Sequence, residues 1–237
     1  MSAIATLRRL LDGVAAAGRR REFWWRDDDA TAPSAALDQL IEDAVGAPLA
    51  LAVIPAHASD DLLAFCEARD LAVLQHGVSH TNHQVHGKSA ELGDARPGAD
   101  VIAQCVAARS RLAGSAAFLP VMVPPWNRAA PGVVTALPGA GYVGVSMFGA
   151  SPSTTPVRRI DAHIDPISWR SGRDLHPDAT LSAMIAQAFE QDGPIGLMTH
   201  HLVHTRRIRG FVAQFAVLVS GHPAAAWMDV FTLFRGQ

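Results

Sequence analysis

Short apolar runs of about five residues alternate along the chain with longer stretches whose apolar positions recur every three or four residues. Ile4, Leu7, Leu10, Leu11 and Val14 follow the helical period, so a helix is expected within residues 1–21. Residues 23–26 read as a strand, and Pro33 opens a helix with Leu37, Leu40, Ile41 and Ala44 on one face. The unbroken apolar run 49–54 has the pattern of a strand buried on both faces. A helix over 59–69 follows, with Ser59 as its cap and Leu62, Leu63 and Phe65 as anchors, and then a strand over 71–75.

Residues 84–98 are polar and contain glycine, which predicts a long loop. Beyond it the pattern gives a helix over 99–113, a strand over 118–123 stopped by Pro124-Pro125, a short helix over 132–137 and a strand over 142–146. A Gly/Ser/Pro/Thr loop spans 147–157, then come a strand over 158–163, a helix over 178–190, a strand over 195–199 and a last long helix over 206–220. Such alternation is the signature of βα units around a mostly parallel sheet, either a barrel or an open doubly wound sheet. No Pro/Gly linker and no internal repeat divides the chain, so one domain over 1–237 is expected, with the N-terminal helix 1–21 appended.

Composition narrows the function classes. With 237 residues, 49% of them hydrophobic, and a mean hydropathy of +0.14, the chain can bury a core and is not disordered. A net charge of −2 gives no footprint for nucleic acid or an anionic membrane, and the short cluster Arg19-Arg20-Arg21 reads as a solvated helix end. Cys66 and Cys105 lie in expected helices without neighbouring His or Cys and are read as reduced thiols. No apolar stretch approaches the roughly 20 residues of a membrane span. The amphipathic start lacks a cleavage site. A cytoplasmic location is therefore expected.

The polar residues cluster after strands, where α/β folds build their sites. Four of the 11 histidines, His76, His80, His83 and His86, fall within eleven positions directly after an apolar run. Crowded imidazoles suggest a divalent metal. His76 and His80 are four apart and His80 and His83 three apart, so either pair can share a face of a helical turn, which Gly77 permits. The pair His76 and His80 is preferred, with His83 as competitor and His86 outside. Asp27-Asp28-Asp29 ends the 23–26 run, and three contiguous carboxylates repel one another unless a cation compensates. An Asp-rich cap of the next helix is the other reading. Two His and one Asp leave coordination positions open, as in catalytic zinc sites. Trp126 and Arg128 after Pro124-Pro125 could wall a sugar-binding groove. Asp161 or Asp165 could orient a histidine, and Trp169 could form an apolar floor. His200, or its neighbour His201, could protonate a leaving group. A Gly-x-Ser-x-Gly elbow, a dinucleotide fingerprint and a phosphate loop are all absent.

In order, these clusters resemble the motifs of the polysaccharide deacetylase family, the NodB-homology group of metal-dependent carbohydrate esterases. The matching stretches are Asp28-Asp29, His76-Gly-Val-Ser-His80, Val123-Pro-Pro-Trp126, Asp161 through Trp169, and Leu197-Met-Thr-His200. The resemblance implies a distorted (β/α) barrel of about seven strands. It implies Asp28 as general base, Asp29, His76 and His80 as ligands of a divalent metal, most often Zn²⁺, and His200 as general acid. Trp126, Arg128, Asp165 and Trp169 would contact substrate; Asp27, His83 and His201 are alternates one register away. The activity implied is removal of an acyl group, foremost acetyl, from an N-acylated sugar. An amidase of the same fold acting on a non-sugar amide and a catalytically silent carbohydrate-binding relative stay open. Two positions depart from the family: Ala30 stands where it has glycine, and Val123 where it has arginine.

Overall fold

The computed structural model describes residues 2–149 and 155–235. The loop expected over 147–157 falls partly outside these residues, at 150–154. In chain order the elements are α1 (Ala3–Ala16), β1 (Arg21–Ala30), α2 (Ala35–Asp43), β2 (Leu49–Val53), α3 (Leu62–Glu67) and β3 (Ala72–His76). Then come α4 (Gly98–Arg109), β4 (Phe118–Val123), α5 (Pro131–Ala136), β5 (Gly144–Val145) and β6 (Arg158–Arg159). The last are β7 (Ile167–Ser168), β8 (Asp174–Leu175), α6 (Asp178–Phe189), β9 (Ile195–Thr199), α7 (Arg206–Gly221), β10 (Ala225–Trp227) and α8 (Val230–Arg235). Among the described residues eight strands form one sheet, in which the neighbouring strands pair in parallel, and β7–β8 is an antiparallel pair. Parallel strands alternating with helices make the fold a distorted (β/α) barrel, as expected.

By packing, the chain divides into two compact units. The first comprises residues 1–27, 34–49 and 162–229. Here β1 pairs in parallel with β9, from Phe23 opposite Ile195 to Asp27 opposite Thr199, and its first residues pair with β10. Phe23 lies edge-on to Phe189, Phe215 and Trp227 with centroids 5.9–6.2 Å apart, while Trp25 stacks on Trp227. Each such side chain contributes about 1.5–3 kcal/mol by leaving water. The apolar stripe of α1 buries Ala3, Leu7 and Leu11 completely, and its Thr6 hydroxyl lies 3.1 Å from the Ser182 hydroxyl on α6. Ser2 caps α1 and Ser34 caps α2 through their side-chain oxygens.

The second unit comprises residues 28–33, 50–161 and 230–237. Its strands β2 to β6 pair in parallel in sequence order. The core between β4, β5, α4 and α5 holds Leu92, Val101, Cys105, Met122, Val133, Leu137 and Tyr142. One polar side chain inside it is fully satisfied: Gln75 donates to the Gly77 and Cys105 carbonyls, both at 2.9 Å, and accepts from the Tyr142 hydroxyl at 2.8 Å. Gly144 has no room for a side chain, because a Cβ would sit 2.2 Å from the Phe234 ring of α8.

Several boundaries differ from the sequence reading. The helix expected over 59–69 starts at Leu62, because the Ser59 hydroxyl bonds the Asp61 carboxylate at 2.6 Å instead of capping. The strands expected over 142–146 and 158–163 shrink to two residues each. Among the described residues no helix is long and apolar enough to cross a membrane.

Candidate metal centre

Asp28 and Asp29 lie at the end of β1, where Asp29 leaves extended geometry at φ 68°. That turn breaks strand alternation and lets neighbouring carboxylates take up independent directions. His76 is the last residue of β3, and Gly77 at φ 60° turns the chain sharply into the segment that carries His80, itself at φ 56°. The result is convergence. One oxygen, Asp29 Oδ1, lies 3.1 Å from His76 Nε2 and 3.3 Å from His80 Nε2. The three ligand atoms lie within 4.8 Å of one another and form the one cluster of metal-binding type among the described residues.

The donor set fits a divalent cation. His76 Nδ1 lies 2.9 Å from the Val123 carbonyl, which can only accept, so the ring must carry its proton on Nδ1. A neutral ring then turns the bare Nε2 lone pair toward the Asp29 carboxylate. With the ring neutral, two acceptors would face each other, and a shared cation would make that contact attractive. Ligand atoms each about 2.0–2.2 Å from one ion stand roughly 3–3.5 Å apart, and the 3.1 and 3.3 Å separations lie in that range. The His80 ring is held below the usual imidazole pKa, chiefly by burial, against the opposing pull of Asp29. It is therefore neutral and ligand-competent at neutral pH. The Trp126 ring packs on His80 with centroids 4.3 Å apart, and Trp126 and Asn127 both sit at φ 56°.

The remaining candidates fall in different places. His83 is half-buried and outside the three-residue cluster; its backbone N–H donates to the Ala90 carbonyl. Arg128 donates to the Ser89 carbonyl at 2.8 Å, and so fastens the 84–98 loop. Val123 is fully buried. Asp161 accepts from the Met147 N–H and from Arg159 Nε. Asp28 is 1% exposed.

In the first unit, Asp27 is fully buried and accepts from the Thr199 hydroxyl at 2.6 Å and the His201 N–H at 2.9 Å, with His201 Nδ1 2.5 Å from its other oxygen. Burial pushes its pKa up, but the imidazole charge and hydrogen bond of His201 outweigh this and hold it low. Asp27, the alternate one register before Asp28 and Asp29, is thus paired with His201 and Thr199. Asp165 accepts from the Trp169 indole N–H at 2.8 Å, and Trp169 meets the His200 ring edge-on at 4.6 Å. His200 Nδ1 is buried with no hydrogen-bond partner among the described residues.

Glu91 was missed in the sequence. It is 1% exposed and its carboxylate bonds the segment bearing His80. A lone acid in a polar stretch carries little signal; its setting between Ala90 and Leu92, both apolar and buried, was the available hint.

No protein-family model and no curated protein sequence matches the chain. Solved structures do match in fold. The chain is similar to a family 4 carbohydrate esterase from Streptomyces lividans in complex with acetate, at 13% identity and TM-score 0.55, over 85% of this chain and 88% of that one. It is similar to a family 4 acetyl xylan esterase from Clostridium thermocellum in complex with a cobalt ion, at 10% identity and TM-score 0.57, over 91% of each chain. It is also similar to a mutant of a family 4 pseudoenzyme with restored enzymatic activity, at 12% identity and TM-score 0.58, over 91% of this chain and 68% of that one. At such identities the likeness is one of fold.

Proposed function

We propose that the chain is a metal-dependent hydrolase that removes an acyl group, foremost acetyl, from an N-acylated sugar. The observation that carries this is the approach of His76 Nε2 and His80 Nε2 to a single oxygen of Asp29, at 3.1 and 3.3 Å. Asp29, His76 and His80 would hold the ion. When bound, a divalent cation there supplies Lewis acidity, which polarises an acyl carbonyl and lowers the pKa of water from about 16 toward 7. Asp28 is the proposed base, taking the proton as water oxygen adds to the acyl carbon. His200 is the proposed acid, protonating the nitrogen as the carbon–nitrogen bond breaks; amine and carboxylate leave. Trp126 and Trp169 supply flat apolar faces suited to a sugar ring.

The support is the donor chemistry of the cluster, the fold shared with carbohydrate esterases, and the order of motifs. Zn²⁺ is the proposed ion, because two imidazoles and one carboxylate suit it. The test is release of acetate and free amine from N-acetylated sugars, run beside cyclic and linear non-sugar amides, with the enzyme loaded with Zn²⁺ or Co²⁺. Turnover of the sugars supports this reading. Turnover confined to the other amides replaces it with an amidase of the same fold.

One observation favours a catalytically silent carbohydrate-binding relative. The position of the family arginine holds the buried aliphatic side chain of Val123, and the Arg128 guanidinium is engaged by the Ser89 carbonyl. Sugar binding by the metal-loaded protein without any product would establish that reading.

A further inference from the structure

We infer that Glu91 is a positioning residue that sets the geometry of the metal-binding loop, a role that presupposes the metal centre proposed above. Its carboxylate is buried, and the loop between the two histidines supplies its donors. Oε2 accepts from the Val78 N–H at 2.9 Å. Oε1 accepts from the Ser79 N–H at 2.8 Å, the Ser79 hydroxyl at 2.9 Å and, more weakly, the Thr81 N–H at 3.4 Å. His80 lies between the clamped residues 79 and 81 and holds the left-handed backbone conformation at φ 56°. A non-glycine residue stays in that region only where its surroundings over-determine it. Glu91 supplies that constraint from one side. The turn after β2 supplies it from the other, through Ala56 N–H to the Val78 carbonyl at 3.0 Å and His57 Nε2 3.2 Å from the Ser79 carbonyl.

Gly77 belongs to the same device. A Cβ at this position would lie 2.1 Å from Glu91 Oε2 and 2.6 Å from the Pro125 ring, so the absence of a side chain is what lets the carboxylate reach under the loop. A glutamate is needed because every contact it makes is with a donor. The isosteric amide in Glu91→Gln would turn an N–H₂ against the Val78 N–H or against the Ser79 N–H, whichever way it faced. Groups that orient metal ligands typically carry 10- to 100-fold in metal affinity.

The experiment uses the full chain, stripped of metal and titrated with Co²⁺, following the visible ligand-field spectrum and competition with a chelating dye. Glu91→Gln is expected to weaken Co²⁺ binding about 10- to 100-fold and to alter the spectrum. Ser79→Ala removes one clamp bond from a half-exposed residue and folds even if Glu91→Gln does not; it is expected to weaken binding roughly 5-fold. Glu67→Gln, which alters an exposed carboxylate bonded to Ser115, is expected to bind like wild type. Wild-type affinity and spectrum in both Glu91→Gln and Ser79→Ala would overturn the positioning role and leave the metal centre standing. Failure of wild type itself to bind Co²⁺ would instead remove the metal centre, and the role of Glu91 with it.

Discussion

Three consecutive aspartates at the end of β1 have three different surroundings. Asp29 faces the two histidines. Asp28 is buried beside it. Asp27 is locked against Thr199 and His201. Removing one partner of a buried charged pair costs about 3–5 kcal/mol, so Asp27→Asn is expected to lower unfolding free energy by that order in urea melts at neutral pH. The pH dependence follows from the direction of its shift. The folded pKa of Asp27 is below the unfolded value of about 3.9, so the folded state binds fewer protons there. Its stabilisation is complete above about pH 4 and is lost as pH falls through the lower folded value. Melts of wild type below pH 4 should show a loss of stability that is reduced in Asp27→Asn. In the proposed reaction His200 is the group that delivers a proton to the departing nitrogen. His200→Ala should lower kcat by about 10²–10⁴ and leave metal content unchanged, as measured by product release and elemental analysis on one sample.

Elements recur in the chain where the hydrophobic pattern places them, and their limits show where pattern reading stops. Runs such as Leu49–Val53 and Ile195–Thr199 are buried throughout, so an unbroken apolar run sufficed. β5, β6, β7 and β8 have two residues each and β10 has three; periodicity has no purchase on so short a segment. β10 was missed for that reason, and with it the parallel neighbour of the first residues of β1. The candidate site was legible where several ligand types crowded together, at 27–29 and 76–83, and illegible where one residue acts through distant backbone, as Glu91 does. The pair His76 and His80 was preferred over His83 from the sequence, whereas the left-handed turn at His80 is a feature no spacing rule supplies. Leu7 and Leu11 of α1 are fully buried within the first unit. Leu7→Ala and Leu11→Ala should each cost about 2–5 kcal/mol, a range a peripheral helix would not reach in chemical denaturation.

At the scale of the whole molecule, an ion that binds only the folded chain must stabilise it. A ligand at 100 times its Kd adds about 2.7 kcal/mol, and in a chain of this size roughly 2–4 °C of Tm accompany each kcal/mol. Zn²⁺ or Co²⁺ should therefore raise Tm by about 5–10 °C, and a chelator should reverse the rise. The same increment should vanish in His76→Ala. The central claim, that Asp29, His76 and His80 together hold one divalent ion, is tested most directly by elemental analysis of the purified, metal-reconstituted chain beside Asp29→Asn, His76→Ala and His80→Ala. The account predicts about one ion per wild-type chain and loss of most of it in each of the three folded variants. A wild type that retains no divalent metal after reconstitution, or three variants that retain as much as wild type, would contradict it.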